Sequence, residues 1–408
     1  MLYYLFIVSF SLAFVYVGFK RRTPDLLTVG VVCCGYYCSM LFVGDLYDPD
    51  TKLYVKIHDF LYIAHAFLFL TLLAACIIND FVLRSYYKVA PTKNWRNFNR
   101  FHLLLVVALF LLMNSIDSRS FFPSDVGEFS AASFGFIYNI YWASVLLLLI
   151  GAMQSKINYL RLIASVFVLS TLLAGSRAYF LAAAFIVCFL YFQEKPPIRL
   201  FGSATRVMVM IMGFFFLIIF KNVYQYLLFL DLQSIVRIAG DWDVIIIRLT
   251  TASEALVLLN FQHAITLYEE TRGSFFSLVF LESIPFVSEL FVEASNSDPR
   301  KLSDFIDQRY FQSTEYGMAS SIWGLFYFVG GPLACILSIS FYVCSLLLLN
   351  IRVRRVDLVG AHLLPGAIFL AFYASRKEIG AVLFPFYMCL FMYAVWRFCQ
   401  MAFRKSRC

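Results

Sequence analysis

Residues 1–22 read MLYYLFIVSFSLAFVYVGFKRR, an apolar run without a charge that ends in Lys20, Arg21 and Arg22. An α-helix needs about 20 residues to cross the hydrocarbon of a bilayer, so this run is long enough to span it. A secretory signal peptide would carry its basic residues before the apolar run and a small-residue cleavage site after it. The stretch therefore predicts a retained membrane helix with its N-terminus outside and its basic end inside.

The composition extends this interpretation to most of the chain. Hydrophobic residues make up 62% of the 408 residues and charged residues 14%, whereas a soluble domain carries about 25% charged residues. In lipid, the backbone must satisfy its hydrogen bonds internally, which helices do. We therefore predict an all-α polytopic membrane protein. Its basic residues are dispersed over short loops rather than gathered in one patch, so we expect no nucleic acid among its partners.

Apolar runs predict about eleven transmembrane helices and one long periplasmic loop. Residues 1–220 form an N-terminal membrane domain with about eight spans, residues 221–320 form the loop with amphipathic helices, and residues 321–408 form a membrane region with about three spans and a basic cytoplasmic tail. The predicted spans are Met1–Phe19, Leu26–Val43, Phe60–Ile78, Phe101–Met113, Phe134–Met153, Leu160–Ala174, Tyr179–Phe192, Val207–Phe220, Ile322–Leu349, Val359–Tyr373 and Ile379–Trp396.

The distribution of basic residues orients these spans. The predicted inner loops and tail hold 20 of the 33 Lys and Arg residues, and the short outer loops hold six. Because short cytoplasmic loops are enriched in Lys and Arg, the N-terminus is predicted to be periplasmic and the C-terminus cytoplasmic. Within the long loop, residues 273–292 are interpreted as an amphipathic helix on the outer surface, with a re-entrant hairpin as the alternative.

Several cations lie at the predicted outer surface. Arg177 follows Gly175-Ser176 in a tight turn between two spans, and Arg376 and Lys377 lie in a second short turn. A cation beside hydrocarbon is costly unless it is paired or hydrated, which marks it as a functional candidate. The alternative is an anchor that extends to lipid headgroups.

The long loop adds further arginines, of which Arg248 follows an apolar stretch at the membrane edge. Arginine remains charged and binds phosphate through a bidentate fork, so this set predicts an anion site, with attraction to anionic lipid as the alternative. The candidate catalytic cations are Arg177, Arg248 and Arg376, and the candidate substrate-binding cations are Arg237, Arg272, Arg309 and Lys377.

Candidate proton acceptors are fewer. His263 and Glu315 lie in the long loop and are candidate general bases, although each is also interpretable as structural. Asp48-Pro49-Asp50 forms a DxD pattern, but acidic residues are expected in an outer loop, and we predict no metal there. P-loop, GxSxG and HExxH motifs are absent from the sequence, which argues against nucleotide-driven transport and common hydrolase chemistry. No cofactor is predicted.

The pattern as a whole resembles the Wzy-type O-antigen polymerases, the oligosaccharide repeat-unit polymerases of bacterial inner membranes. The likeness rests on the layout of spans around one large outer loop, on Gly175-Ser176-Arg177 leading into a span, and on residues 320–330, SSIWGLFYFVG. The last segment is similar to the family's Ser, aliphatic, Leu-aromatic and Gly pattern at the start of a span. The family often has Glu where this chain has Gly324.

The resemblance implies transfer of a glycan between two undecaprenyl-pyrophosphate carriers at the periplasmic face of the inner membrane. Arginines would stabilise the departing pyrophosphate, and a carboxylate or His263 would accept the proton of the attacking hydroxyl. The implied partners are undecaprenyl-pyrophosphate-linked oligosaccharide, membrane lipid and a chain-length regulator protein. Two alternatives stay open: an O-antigen ligase, which uses the same donor, and a polysaccharide flippase or transporter, which would need polar residues along its spans.

Overall fold

The structure is a computed structural model that describes residues 1–21, 25–48, 53–81, 95–116, 136–173, 177–194, 253–271, 321–355, 357–376 and 379–405, with the single residues 208, 233, 302, 306 and 310. Its helices are α1 (Leu2–Val15, continued by a π-helical turn, Tyr16–Lys20), α2 (Leu26–Tyr37), α3 (Asp59–Phe81), α4 (Trp95–Ile116), α5 (Phe136–Ser155), α6 (Asn158–Leu173), α7 (Arg177–Glu194), α8 (Ser253–Thr271), α9 (Ile322–Val353), α10 (Leu358–Tyr373) and α11 (Ile379–Lys405). A 3-10 turn, Ser39–Phe42, leads into an antiparallel hairpin of β1 (Asp45–Asp48) and β2 (Leu53–Lys56).

These elements confirm an all-α multi-pass membrane protein. Among the described residues, six helical segments are long and apolar enough to cross a bilayer, and they include parts of α1, α3, α4, α5, α9 and α11. The shorter apolar helices α2, α6, α7 and α10 also lie where the sequence predicts spans. The predicted span Val207–Phe220 lies outside the described residues, and α8 belongs to the predicted loop. The total of eleven spans therefore stays a prediction.

Helix α9 is folded back on itself. The rings of Trp323 and Tyr342 lie 5.0 Å apart, whereas a straight helix would separate these residues by about 28 Å along its axis. The break falls at Gly330 (φ −141°) and Gly331 (φ +67°), immediately before Pro332. A positive φ suits glycine, and proline suits the first turn of a new helix. The prediction of one continuous span from Ile322 to Leu349 is therefore corrected: its first eight residues form a half-helix that returns along the second half.

The helices enclose two apolar cores. One is built mainly from α1, α2, α3, α8 and α9, and the other from α4, α5, α6, α7, α10 and α11. Large apolar side chains remain exposed on the outside of the bundle, among them Leu104 on α4 and Leu333 and Phe341 on α9. In water such a surface would be costly, but against lipid tails it is the expected one.

The two ends of the bundle are built from different residues and elements. At one end, Arg21, Asp25, Asp80 and Arg354 join α1, α2, α3 and α9 through ion pairs. We name these four residues, together with Thr28, Asn79 and Asn350, the Asp25 clamp. The opposite end holds the hairpin, α8 and the turn after α10. Following the predicted topology, we refer to the clamp end as the inner end and to the opposite one as the outer end.

Candidate functional site

Helix α8 is fixed over the outer end by the hairpin. The Gln262 side chain donates from Nε2 to the Lys56 carbonyl (3.0 Å) and accepts at Oε1 from the backbone N–H of His58 (3.1 Å). Cross-strand pairing places Asp48 opposite Leu53 at the far end of the hairpin from Lys56. Strand β1 also packs against α8, and the charge of Asp48 at its end acts on the residue that follows Gln262, which is His263.

His263 is the candidate proton acceptor that lies within the described part of this end. Its ring stacks on Tyr310, with centroids 4.1 Å apart and planes at 15°. Burial lowers the pKa of His263 to about 4, and the negative charge of Asp48 acts in the opposite direction. Asp48 is itself buried. At neutral pH the imidazole is therefore uncharged and able to accept a proton, with a carboxylate near enough to favour the protonated form once it arises.

Arg376 supplies a positive charge in the turn after α10. Its backbone N–H donates to the Tyr373 carbonyl (2.9 Å), and its guanidinium lies 5.9 Å from the centroid of the Tyr37 ring. The neighbouring Ser375 hydroxyl donates to the Cys34 sulfur (3.1 Å). The end of α2 thus positions the cation through both residues of the turn.

The first turn of α9 links these two groups. The backbone N–H of Ile322 donates to the Ala374 carbonyl (3.2 Å), two residues before Arg376. A Cβ added at Gly324 in the same turn would lie 3.5 Å from the Cα of Phe261, two residues before His263. The first turn of α9 therefore contacts both the segment of α8 that carries His263 and the turn that carries Arg376. The contact also gives a reason for Gly324, because a longer side chain there would meet α8.

The remaining predicted site residues are placed only in part. Arg177 begins α7, and Tyr179 in the same first turn stacks on Trp142 (4.1 Å) and packs near Phe369 of α10 (5.7 Å). The start of α7 therefore lies at the same end as Arg376. The structure describes the backbone of Arg177 but not its side chain. The other predicted residues, Arg237, Arg248, Arg272, Arg309, Glu315 and Lys377, lie outside the described residues and stay predictions.

The sequence did not predict the role of Asp48. It was interpreted as one of several solvated acids in an outer loop, whereas the structure buries it beside His263. Two short runs that contain apolar and aromatic residues, Asp45–Asp48 and Leu53–Lys56, are separated by a stretch that begins with Pro49 and Asp50, and this arrangement is a usable hairpin signal. With the hairpin recognised, the position of Asp48 at a strand end could have been predicted, but its approach to α8 is a long-range contact.

Two membrane histidines were also missed. His102 on α4 and His362 on α10 are both buried in the second core, with ring centroids 5.8 Å apart. Within the described part of the chain, neither ring nitrogen of His102 has a hydrogen-bond partner, and the same holds for Nε2 of His362. Nδ1 of His362 lies 2.6 Å from the Leu358 carbonyl.

Comparison with known proteins identifies no relative: no family model, no curated protein and no solved structure matches the chain. Functional inference therefore starts from the residues and contacts above and from the resemblance in the sequence.

Proposed function

We propose that the protein is a polymerase that joins undecaprenyl-pyrophosphate-linked oligosaccharide repeat units into O-antigen or a related surface polysaccharide. The proposed place of reaction is the periplasmic face of the bacterial inner membrane. One observation carries the proposal: at the end predicted to be periplasmic, the first turn of α9 contacts both the segment of α8 that carries His263, whose imidazole is neutral and feels the charge of Asp48, and the turn that carries Arg376. These are the two kinds of group that transfer from a pyrophosphate donor needs.

The proposed reaction exchanges one bond for another. The bond between the anomeric carbon of the growing glycan and its pyrophosphate breaks, and that carbon forms a bond with a hydroxyl oxygen of the incoming repeat unit. The hydroxyl proton passes to His263, and the bonding electrons leave with the pyrophosphate. Since the donor bond already carries the driving force, no nucleotide is required at this face.

The two named side chains act on different parts of this step. His263 accepts the proton as the hydroxyl attacks, and Asp48 stabilises the imidazolium that results. Arg376 is proposed to bind the leaving pyrophosphate, whose charge increases in the transition state. A fixed cation therefore stabilises the transition state more than the bound donor. Arg177 and Arg248 are proposed to act at the same anion.

An O-antigen ligase is the second candidate. It would use the same donor and the same base, but would deliver the glycan to lipid A core. The position of His263 supports this reaction as well, since base-assisted attack by a sugar hydroxyl is common to both. The choice between them depends on the acceptor.

The gel profile of lipopolysaccharide from a deletion strain tests the proposal. Loss of a polymerase leaves core carrying a single repeat unit, and the wild-type gene should restore the ladder of long chains. Bare core would instead identify a ligase. An unchanged ladder would contradict both reactions.

A further inference from the structure

Asp25 is the centre of a polar cluster at the inner end. Its carboxylate accepts from Arg21 at both oxygens (2.5 and 2.8 Å), from Arg354 (2.5 Å) and from the Asn350 amide (2.7 Å). The backbone N–H of Thr28 adds a bond of 3.1 Å, because Asp25 also caps the N-terminus of α2. The carboxylate thus binds two cations that come from α1 and α9.

Asp80 brings α3 into the same cluster. It accepts from Nε and Nη2 of Arg21 (3.1 and 3.2 Å) and from the side chain of Asn79 (2.9 Å). The side-chain oxygen Oδ1 of Asn79 in turn accepts from the Asn350 amide (3.0 Å). Two arginines and two aspartates are therefore joined, directly or through amides, across four helices.

The cluster pairs two positive with two negative charges, and its centre is buried, whereas the side chains of Asp80 (25% exposed) and Arg354 (12% exposed) lie at its edge. Arg21 is 3% exposed, Asp25 1% and Asn350 0%. Burial by itself would raise the pKa of the Asp25 carboxyl, but the two guanidiniums and the Thr28 and Asn350 hydrogen bonds hold it below its ordinary value. Opening this end would have to separate buried charges from their partners, and an unpaired buried charge is strongly unfavourable.

An exposed ion pair nearby provides the comparison. Arg352 forms a bidentate pair with Asp357 (2.8 and 2.9 Å), but both side chains are about one-third exposed, at 30% and 33%. Such a pair can break and re-form in water at little cost. Arg352 and Arg354 lie only two residues apart, but Arg352 forms an ion pair at the surface and Arg354 forms one with the buried Asp25.

We infer that the Asp25 clamp is a permanent seal of the inner end, so that the protein exchanges substrate and product through its outer end alone. An alternating-access carrier opens each end in turn. A protein with this seal works from one side of the membrane, whichever transfer reaction its outer end performs. Arg21 and Arg354, two of the basic residues that orient the spans, would then serve to close the bundle as well as to set its topology.

A native cysteine lies behind the clamp and reports its state. Cys76, on α3 one turn before Asp80, is fully buried. Cys399, near the inner end of α11, is half-buried and free. If the clamp opens, water and a small charged reagent reach Cys76, whereas Cys399 serves as the accessible reference.

The experiment labels the full-length protein in inside-out membrane vesicles from the producing cells, with a charged, membrane-impermeant maleimide. Mass spectrometry then measures modification at each cysteine over time. The seal predicts that Cys399 reacts while Cys76 reacts at least 100-fold more slowly. Labelling of Cys76 within tenfold of Cys399 would mean that the inner end opens, and would overturn the inference. Parallel labelling of right-side-out vesicles reports any error in the predicted topology through Cys399, independently of the result at Cys76.

Two variants assign the effect to the clamp. Arg354→Ala should raise labelling of Cys76 at least tenfold. Arg354→Lys, which keeps the charge with fewer hydrogen bonds, should raise it less. The Lys variant tests the clamp if the Ala variant is not produced. Arg352→Ala should leave labelling of Cys76 unchanged. Equal labelling of Cys76 in wild type and both Arg354 variants would show that the clamp is not what closes this end.

Discussion

The ring of Trp323 packs edge-on against the ring of Tyr342, 5.0 Å away, although both belong to α9. This contact requires the reversal at Gly330 and Gly331, and it brings the start of α9 down beside the end of α10, where Ile322 bonds to Ala374. Irregular backbone at membrane depth is tolerated where protein covers it. The reversal is therefore what brings the first turn of α9 into contact with the end of α10 and with α8.

Replacing Gly331 with Ala should destabilise this reversal. Its φ of +67° disfavours any side chain, and a Cβ there would lie 2.6 Å from the Tyr268 hydroxyl oxygen. Backbone strain of this kind costs about 1–3 kcal/mol. We expect a lower melting temperature in detergent, measured by size-exclusion chromatography after heating. Gly324→Ala, whose Cβ would meet neighbours at 3.4 Å or more, is the matched control. Equal melting temperatures for Gly331→Ala and wild type would contradict the reversed backbone.

His263→Gln should reduce glycan transfer by about 100-fold or more, the usual range for removing a general base. Asp48→Asn should reduce it less, because the base remains and only its charged form loses support. The rate of product formation by purified protein measures both effects. Gln262→Ala, which loosens α8 without removing the base, separates loss of position from loss of chemistry. Full activity of His263→Gln would exclude this residue as the base.

The pH dependence follows from the lowered pKa of His263. With a value of about 4 in the folded protein, the base stays deprotonated through neutral and mildly acidic pH, so the transfer rate should fall only as pH approaches 4. In the unfolded chain the pKa of a histidine is about 6.5, so the unfolded state binds this proton more readily than the folded state. The stability contribution of His263 is therefore fully present above pH 6.5 and is lost as pH falls towards 4. A rate that halves near pH 6.5 would contradict the buried environment.

Arg376→Ala should shorten the polymer and reduce the transfer rate by about 100-fold, equivalent to about 3 kcal/mol of transition-state stabilisation. Arg376→Lys should restore only part of the rate, because lysine keeps the charge and loses the planar fork that binds phosphate. Chain length on a gel, with protein abundance measured in parallel, reports the effect. Arg397→Ala, an exposed residue on α11, should behave as wild type. Normal chains in Arg376→Ala would identify the residue as a membrane anchor.

The His102–His362 pair permits a prediction about stability. A buried polar group without a partner costs about 1–3 kcal/mol, so His102→Leu should leave the melting temperature in detergent unchanged or raise it. His65→Leu is the contrasting variant, because Nδ1 of His65 lies 2.8 Å from the Leu61 carbonyl and its removal ends that hydrogen bond. A marked fall in the melting temperature of His102→Leu would show that its ring nitrogens are bonded in the membrane.

Much of the fold could be predicted from local sequence. Apolar runs near 20 residues located helices correctly at α3, α5 and α11, because bilayer thickness imposes a length that composition reveals. The reversal in α9 was missed although Gly330-Gly331-Pro332 is a strong break signal. The run is apolar on both sides of the break, and apolarity alone does not distinguish one long helix from two packed halves.

The candidate site was less accessible to sequence reasoning. His263 and Arg376 are candidates from residue type and predicted exposure, and the structure places them on two segments that both contact the first turn of α9. Asp48 and the Asp25 clamp were not identified, because their partners are distant in the chain: Asp25 binds Arg354 and Asp48 interacts with His263. Contacts of this kind depend on the packing of helices, which a single sequence does not state.

Transfer by the purified protein tests the central claim most directly. The full-length chain is reconstituted in lipid vesicles with undecaprenyl-pyrophosphate-linked oligosaccharide from the producing strain, without nucleotide, and glycan length is followed by mass spectrometry. The account predicts products of two or more repeat units, released undecaprenyl pyrophosphate in equal amount to the bonds formed, and at least a 100-fold slower reaction with His263→Gln. Glycans that stay at one repeat unit, in vesicles where the folded protein is shown to be present, would contradict it.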